Sequence, residues 1–113
     1  MENNRVKKLK ELLLAQPEDL FLLYALALEF MQAGQASQSL EYFKKIRNLD
    51  PSYLPLYYQM GKLLSRLQQK SEAIETLEAG LVLATEKKES RTLAEISNAL
   101  SNLKMGLDFD DED

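Results

Sequence analysis

The chain has 113 residues, of which 45% are hydrophobic and 28% are charged, and its formal net charge is −4. These values are ordinary for one small globular domain and exclude a disordered chain. The chain contains neither Cys nor His, which excludes disulfides, most zinc sites and nucleophilic pairs built on thiolate or imidazole. The negative net charge argues against a phosphate backbone as the main partner.

Nothing in the sequence indicates export or insertion into a membrane. No apolar run approaches the roughly 20 uncharged residues that a membrane-spanning helix needs. The first residues, MENNRVKKLKELLLAQP, carry charge but lack a long apolar core followed by a small-residue cleavage site. We therefore expect a cytoplasmic location.

The first predicted helix covers residues 3–16, where apolar side chains recur at three- and four-residue steps. The members of this apolar stripe are Val6, Leu9, Leu12 and Leu13. Pro17 follows, and it ends the helix because proline has no amide hydrogen and disfavours helical geometry in the preceding residue.

Two further helices are predicted at 18–33 and 36–49, separated by a turn at Gly34. Their apolar faces are formed by Leu23, Leu26 and Phe30 on the first helix and by Leu40, Phe43 and Ile46 on the second. Two such faces joined by a short turn bury each other as an antiparallel pair. Pro51 then stops the second helix, 34 residues after Pro17.

A shift of 34 residues aligns the chain with itself and predicts a second helix pair at 53–67 and 71–85. The aligned apolar positions are Leu23 with Tyr57, Leu26 with Met60, Phe30 with Leu64 and Phe43 with Leu77. In this second pair, Pro55 suits the first turn of its helix, and Ser52 is the candidate N-cap.

Two other aligned positions carry small side chains. Ala27 aligns with Gly61, and Ser39 aligns with Ala73. We interpret these positions as places where two helices touch closely. Gly61 costs about 1 kcal/mol against Ala in helix propensity, and close contact is the reason that this cost is tolerated.

The last predicted helix covers residues 90–104. Its apolar pattern, Leu93, Ile96 and Leu100, is offset by 36 residues from the helix at 53–67, and a loop at 85–89 accounts for the two extra residues. Six helices are predicted in all. The helix at 90–104 is interpreted equally well as the start of another repeat or as an unrelated capping helix.

The repeated pattern resembles the tetratricopeptide repeat, a 34-residue helix-turn-helix unit with the signature W-x2-L-G-x2-Y, A-x3-F and P. The first unit matches as Leu23-x2-Leu26-Ala27-x2-Phe30, Ser39-x3-Phe43 and Pro51, and the second as Tyr57-x2-Met60-Gly61-x2-Leu64 and Ala73-x3-Leu77. The chain departs from the family at Ile46, where a small residue is usual and the second unit has Gly80. It departs again at Thr85, which replaces the final Pro.

The resemblance implies an all-α fold in which helix pairs stack as a short right-handed superhelix, or α-solenoid. It implies a single domain over residues 1–107 and an acidic disordered tail at 108–113. The implied parts of the domain are a half-repeat helix at 3–16, repeat 1 at 18–51, repeat 2 at 52–87 and a capping helix at 90–104. Family members usually serve as non-catalytic scaffolds that bind a peptide segment of a partner protein in a concave groove lined by the first helices.

The family's groove positions can be carried onto this sequence residue by residue. The residues selected for the partner-binding groove are Tyr24, Met31, Tyr58, Lys62, Arg66, Arg91 and Asn98. The wider set also includes Ser65, Ser101 and Asn102. Lys62, Arg66 and Arg91 are predicted to converge from adjacent helices and to favour an acidic partner, and the alternative is a solvated charged face. For Phe21 and Leu28 the favoured interpretation is core packing.

One specialised function of the family is disfavoured. Chaperone-binding members hold the C-terminal carboxylate of their ligand with a clamp of Lys, Asn and Arg side chains. At matching positions this chain has Tyr24, Leu28 and Gln59. The clamp is absent, so binding to the acidic tails of heat-shock chaperones is not expected.

The final stretch GLDFDDED has two interpretations. The favoured one is a solvated acidic tail. The other is that Phe109 and its neighbouring carboxylates fold back on Lys62, Arg66 and Arg91, or occupy the groove of a neighbouring molecule.

An enzyme is the first alternative function. The candidate groups Glu29, Glu75, Tyr58 and Lys62 form no recognised catalytic pair, and neither a Gly-rich phosphate loop nor a metal-ligand spacing occurs. No catalytic residue, cofactor or metal is therefore predicted.

Two non-catalytic alternatives remain besides a peptide-binding scaffold. Nucleic-acid binding through the basic start of the chain is disfavoured, because Arg5, Lys7, Lys8 and Lys10 lack interleaved aromatic residues. The stronger alternative is a structural homo-oligomer that pairs through the apolar surface formed by Phe21, Tyr24 and Met31. A monomer is favoured over a homodimer.

Overall fold

The computed structural model describes residues 3–109, and within this range all regular structure is helical. The helices are α1 (Asn4–Ala15), α2 (Leu20–Gln32), α3 (Ala36–Leu49), α4 (Pro55–Arg66), α5 (Lys70–Lys87) and α6 (Ser90–Lys104). Every predicted helix is confirmed, and each end lies within two residues of its prediction. The chain forms two compact units that divide between Pro51 and Ser52. We call them the N-terminal unit, with α1 to α3, and the C-terminal unit, with α4 to α6.

In the N-terminal unit, α1 and α2 both begin with a side-chain cap. The Asn3 carboxamide accepts a hydrogen bond from the amide of Val6 (2.8 Å), and the Asp19 carboxylate accepts one from the amide of Leu22 (3.0 Å). Such bonds satisfy amide groups that have no partner in the first turn of a helix. The two helices share a core cluster formed by Val6, Leu9, Leu22, Ala25, Leu26 and Phe30.

Helices α2 and α3 contact each other at the small side chains that the repeat pattern identifies. Ala27 and Ser39 are both fully buried, as is Phe43 one turn further along α3. The Ser39 hydroxyl donates a hydrogen bond of 2.6 Å to the carbonyl oxygen of Ala27. Only a small residue permits this approach, so the predicted close contact between the two helices is confirmed.

Small residues also line the contacts of α5 in the C-terminal unit. A Cβ atom added to Gly61 of α4 would lie 2.6 Å from Cδ2 of Leu77. A Cβ atom added to Gly80 of α5 would lie 2.6 Å from Cβ of Tyr57 and 3.0 Å from Cδ1 of Ile96. Because these separations are shorter than ordinary van der Waals contact, the two glycines allow α4 and α6 to pack directly against α5.

Each helix pair turns through one residue with a left-handed backbone. In the first pair this residue is Gly34 (φ +77°), and the next amide donates to the carbonyl of Phe30 (2.9 Å). In the second pair it is Gln68 (φ +62°), and the next amide donates to the carbonyl of Leu64 (2.9 Å). This arrangement is the Schellman motif, which satisfies carbonyl groups at the end of a helix.

Two local predictions in the C-terminal unit are wrong. Helix α4 has Leu54 at its N-cap position, so Ser52 is not the N-cap. The loop predicted at 85–89 is largely helical, because α5 continues to Lys87 and ends at Lys88, whose φ is +57°. Thr85 retains the amide hydrogen that a proline would lack, and its hydroxyl donates to the carbonyl of Leu81 (2.8 Å). The two extra residues thus lengthen the helix.

Candidate functional site

Three of the selected residues form one outward-facing stripe on α4. Tyr58, Lys62 and Arg66 recur at four-residue steps, which places them on the same side of the helix. Tyr58 and Lys62 are half-buried, and Arg66 is exposed. The opposite side of α4 carries the buried residues, among them Leu56, Met60, Gly61 and Leu64. The stripe is therefore additional to the core of the C-terminal unit.

A hollow of about 320 Å³ lies beside this stripe. It is lined by Lys62, Ser65, Arg66, Gln68, Asp108 and Phe109. We use the name cationic surface for five residues of α4 and of the turn that follows it: Tyr58, Lys62, Ser65, Arg66 and Gln68. Lys and Arg bring two positive charges to it, while Ser and Gln supply neutral hydrogen-bonding groups.

Phe109 is seated against the cationic surface. Its side chain is only 5% exposed, and its ring lies edge-to-face with the ring of Tyr58, with 5.1 Å between the ring centroids. The side-chain amide of the buried Asn102 donates a hydrogen bond of 3.2 Å to the carbonyl oxygen of Phe109. A solvated tail is therefore the wrong interpretation for Phe109. The acidic positions 110–113 lie outside the described residues.

The turn after α6 brings Phe109 back toward α4. Gly106 has a φ of +80°, and its amide donates to the carbonyl of Leu103 (3.1 Å). The amide of Leu107 donates to the carbonyl of Asn102 (2.8 Å). These two bonds form a further Schellman motif, which ends the helix and reverses the chain. The motif requires a left-handed backbone conformation at this point, and glycine adopts that conformation without strain.

The selected residues of α6 lie apart from the hollow. Arg91 and Asn98 are both exposed on α6, and neither contributes to its lining. Asn102 is the residue of α6 that contacts Phe109 beside the hollow. Arg91 precedes Asn102 by 11 residues, which is roughly 16 Å along the helix axis at 1.5 Å per residue. The convergence of Arg91 with Lys62 and Arg66 stays a prediction.

In the N-terminal unit, Tyr24 and Met31 lie half-buried on α2. The ring of Tyr24 meets the edge of the buried Phe43 ring, with 6.2 Å between centroids. Leu28 is half-buried as well, whereas Phe21 is 70% exposed. Core packing is therefore wrong for Phe21. A helix that is apolar on nearly every side gives no indication of which residue faces solvent.

A profile described as tetratricopeptide repeat matches residues 30–95, which is more than half of the chain. This chain belongs to the tetratricopeptide repeat family. The crystal structure of a tetratricopeptide repeat domain protein from Salinibacter ruber is 35% identical, with a TM-score of 0.73, and the match covers 76% of this chain and 97% of that chain. A solution NMR structure of a Salinibacter ruber tetratricopeptide repeat domain protein is also 35% identical, with a TM-score of 0.75 and coverage of 86% and 97%.

A protein from Bordetella parapertussis shares the fold of this tetratricopeptide repeat chain. Its solution structure is 20% identical, with a TM-score of 0.81, and the match covers 94% of this chain and 91% of that chain. A search of curated proteins found no match. Tetratricopeptide repeats generally mediate protein–protein interactions and are generally non-catalytic.

Some basic side chains at the start of this tetratricopeptide repeat chain make contacts inside the N-terminal unit. The Arg5 guanidinium pairs with the Glu29 carboxylate (2.5 Å), and the Lys10 ammonium lies 5.5 Å from the centroid of the Phe30 ring. Two of the four cations considered for nucleic-acid binding therefore contact α2. Glu29, a candidate catalytic carboxylate in the sequence, is the same group that pairs with Arg5.

Two further findings concern the part of the chain that the structure describes. No group of three or more Asp or Glu side chains within residues 3–109 is arranged to hold a metal ion. None of the helices in this range is long and apolar enough to cross a membrane.

Asn102 lies outside the seven residues that the sequence selected, yet it makes the hydrogen bond to Phe109. A signal for it does exist in the sequence. Asn102 interrupts an apolar face of α6 between Ala99 and Leu103, and a buried amide requires hydrogen-bonding partners. What the sequence does not disclose is that the partner is a backbone carbonyl beyond the end of the helix.

Proposed function

We propose that this chain is a non-catalytic scaffold whose cationic surface binds an acidic peptide segment of a partner protein. The observation that carries the proposal is the stripe of Tyr58, Lys62 and Arg66 beside the hollow on α4. These side chains face outward on a helix whose core contacts are made by other residues. Membership of a family that generally binds other proteins supports the same conclusion.

The chemistry of the stripe suits carboxylates and an apolar anchor. A guanidinium group can bind a carboxylate through two parallel hydrogen bonds, and an ammonium group acts as a mobile point charge. The Tyr58 ring offers an apolar face together with a polar hydroxyl. A peptide that carries an apolar side chain next to acidic residues would use all three groups.

The other selected residues are part of the proposal as secondary positions. Arg91 and Asn98 are exposed on α6 and are proposed to contact residues of the partner that lie outside the hollow. Tyr24 and Met31 are proposed to form an apolar contact surface of the N-terminal unit.

Selection of peptides from a displayed random library tests the proposal. The bait proteins are the wild-type chain and the K62E/R66E double variant. The matched control is K70E/K87E, which makes the same charge change at two exposed lysines of α5. We expect the wild type and the control to enrich the same acidic motif and the double variant to lose it. Enrichment that is equal for all three baits, or absent for all three, would refute the proposal.

Self-association is the second candidate, because the N-terminal unit exposes large apolar side chains. Phe21 is 70% exposed and Leu14 is 85% exposed. Light scattering across a concentration series would detect a dimer, and F21S should shift it toward monomer. Val82, which is 59% exposed on α5, provides the matched control variant V82S. A mass that stays monomeric at every concentration excludes this candidate.

A further inference from the structure

We propose that the segment after α6 is an internal ligand of the cationic surface, and that Phe109 is its anchor. The partner peptide would carry the same chemistry, an aromatic side chain followed directly by carboxylates, and would have to displace Phe109 to bind. This inference rests on the proposed function, since it names the ligand chemistry and the regulation of that surface.

The burial pattern of the segment distinguishes Phe109 from its neighbours. Leu107 is 42% exposed and Asp108 is exposed, whereas Phe109 is 5% exposed. An apolar contact without specificity would bury Leu107 as readily, since both side chains follow the same turn. The ring of Phe109 instead packs edge-to-face on Tyr58, a geometry that favours an aromatic anchor over an aliphatic one.

The backbone of the segment is also held. The Nδ2 group of the buried Asn102 side chain donates a hydrogen bond to the carbonyl oxygen of Phe109. A hydrogen bond to a backbone carbonyl does not depend on the identity of the residue that carries it. The same amide could therefore serve any peptide that places an aromatic residue against Tyr58.

The charges of the segment and of the cationic surface are complementary. Lys62 and Arg66 line the hollow next to Phe109. In the sequence Phe109 is followed directly by Asp110, Asp111, Glu112 and Asp113. Their positions lie outside the described residues, but their charge and their covalent link to Phe109 follow from the sequence alone. Four successive carboxylates joined to the anchor provide the charge that two neighbouring cations favour.

A ligand tethered in this way lowers the apparent affinity for a partner. Short tethers give effective concentrations of about the millimolar level. If the internal ligand occupies the surface about 90% of the time, the partner binds about tenfold more weakly than it would to an open surface. Removal of the anchor should therefore increase affinity without any new contact.

The first experiment measures binding of a fluorescent synthetic peptide that copies residues 107–113. The full-length F109A variant should bind it about tenfold more tightly than the wild-type chain does. L107A changes an exposed neighbour in the same segment and should bind like the wild type. The triple variant F109A/K62E/R66E should lose the gain. Equal affinity of F109A and wild type would overturn the inference.

The second experiment uses fluorescence, because the chain contains no Trp. The F109W variant places a single reporter at the anchor position. Its emission should be blue-shifted and protected from acrylamide, and an excess of the synthetic peptide or the additional change Y58A should remove that protection. A tryptophan that is fully quenched in the otherwise unchanged chain would overturn the inference. F109L replaces F109A in the first experiment if circular dichroism shows that F109A does not fold.

The library selection separates the two proposals. A motif that depends on Lys62 and Arg66 but lacks an aromatic residue next to carboxylates leaves the proposed function standing and overturns this inference. A selection that yields no motif dependent on these cations with either the wild-type chain or F109A as bait refutes the proposed function itself, because F109A lacks the internal anchor.

Discussion

Individual small residues determine how closely the helices of each unit approach. Gly80 contacts α4 through Tyr57 and α6 through Ile96, and Gly61 contacts Leu77 of α5. The two glycines differ in what surrounds them. A Cβ atom at Gly80 would meet Cβ of Tyr57, which is attached directly to the backbone, whereas a Cβ atom at Gly61 would meet Cδ2 and Cγ of Leu77, which lie further out along a side chain.

G80A should therefore lower the free energy of unfolding more than G61A does. Overpacking costs about 1–3 kcal/mol, and a gain of about 1 kcal/mol in helix propensity offsets part of it. Because Cβ of Tyr57 cannot move away without the backbone, we expect G80A to cost about 2–3 kcal/mol in overpacking, which leaves a net loss of about 1–2 kcal/mol. The change for G61A should be smaller, because the side chain of Leu77 can shift. Urea unfolding measures both.

A control at the exposed neighbour Ala79 measures how much an exchange between Ala and Gly changes stability through helix propensity without any packing effect. A79G should cost about 1 kcal/mol through helix propensity alone. If G80A is as stable as the wild type or more stable, then Gly80 is not a close-contact position.

Ser39 combines small size with a hydrogen bond. S39A removes the bond to the Ala27 carbonyl and should cost about 1 kcal/mol, because that carbonyl keeps its bond within α2. S39V adds methyl groups at a fully buried position and should cost about 1–3 kcal/mol more. Thermal unfolding followed by circular dichroism measures both, with S37A on the exposed side of α3 as the control. Equal stability of S39V and S37A would contradict the close contact.

At the level of whole elements, α2, α4 and α5 each end at a single left-handed residue. Gly34 is suited to this conformation, but Gln68 and Lys88 adopt it with a Cβ atom present. A left-handed conformation costs a residue with a side chain roughly 1–2 kcal/mol. The turns after α4 and α5 are therefore less favourable locally than the turn after α2.

Q68G should raise the free energy of unfolding, because glycine adopts a φ of +62° without strain. Glycine also makes the unfolded chain more flexible, and this entropy offsets part of the relief of strain. The net rise in the free energy of unfolding should be about 0.5–1 kcal/mol. Q69G changes the adjacent residue, whose φ is −103°, and should lower stability instead. Chemical denaturation compares the two variants. A destabilised Q68G would show that the side chain of Gln68 contributes more than its backbone costs.

Helix α5 extends through the position where the family repeat usually has proline. T85P should break the helix in its last turns and cost about 3 kcal/mol, because proline removes a backbone hydrogen bond and clashes with the preceding turn. Far-ultraviolet circular dichroism should show a loss of helix together with a lower melting temperature. T85A, which keeps the amide hydrogen, serves as the control. Unchanged helix content in T85P would contradict the length of α5.

For the molecule as a whole, local charge matters more than net charge. The net charge of −4 would by itself oppose an acidic partner. However, the Debye length is about 10 Å at 0.1 M salt, so a partner at the cationic surface mainly responds to the charges close to it. Lys62 and Arg66 can therefore attract carboxylates although the chain is acidic overall.

Binding of the synthetic peptide to F109A should consequently weaken as salt is raised. Between about 0.01 M and about 1 M salt, the Debye length falls from roughly 30 Å to roughly 3 Å, which screens exposed charges. Fluorescence anisotropy across this range should give a steep decline for F109A and a flatter one when K62Q and R66Q are added. Adding K70Q and K87Q should leave the steep decline in place. Salt-independent binding would exclude charge recognition.

The repeat, the helices and the facing small residues were all predictable from the sequence alone. Helical geometry repeats every 3.6 residues, so local spacing alone places Tyr58, Lys62 and Arg66 on one side of α4. Prolines and the spacing of 34 residues set the ends of the pairs, and Ala27 and Ser39 meet as their alignment implies. Each of these inferences depends on residues that are near one another in the chain or in equivalent repeats.

Other features were decided only by the tertiary structure. The contact of Phe109 with Tyr58 joins residues 51 positions apart and outside the repeat, so no periodicity reports it. The exposure of Phe21 depends on which side of an apolar helix receives a neighbour. The left-handed turn at Gln68 forms although its local preference is unfavourable, because the packing of α4 against α5 outweighs the local strain. Long-range packing energy thus determines the details that short-range preference leaves open.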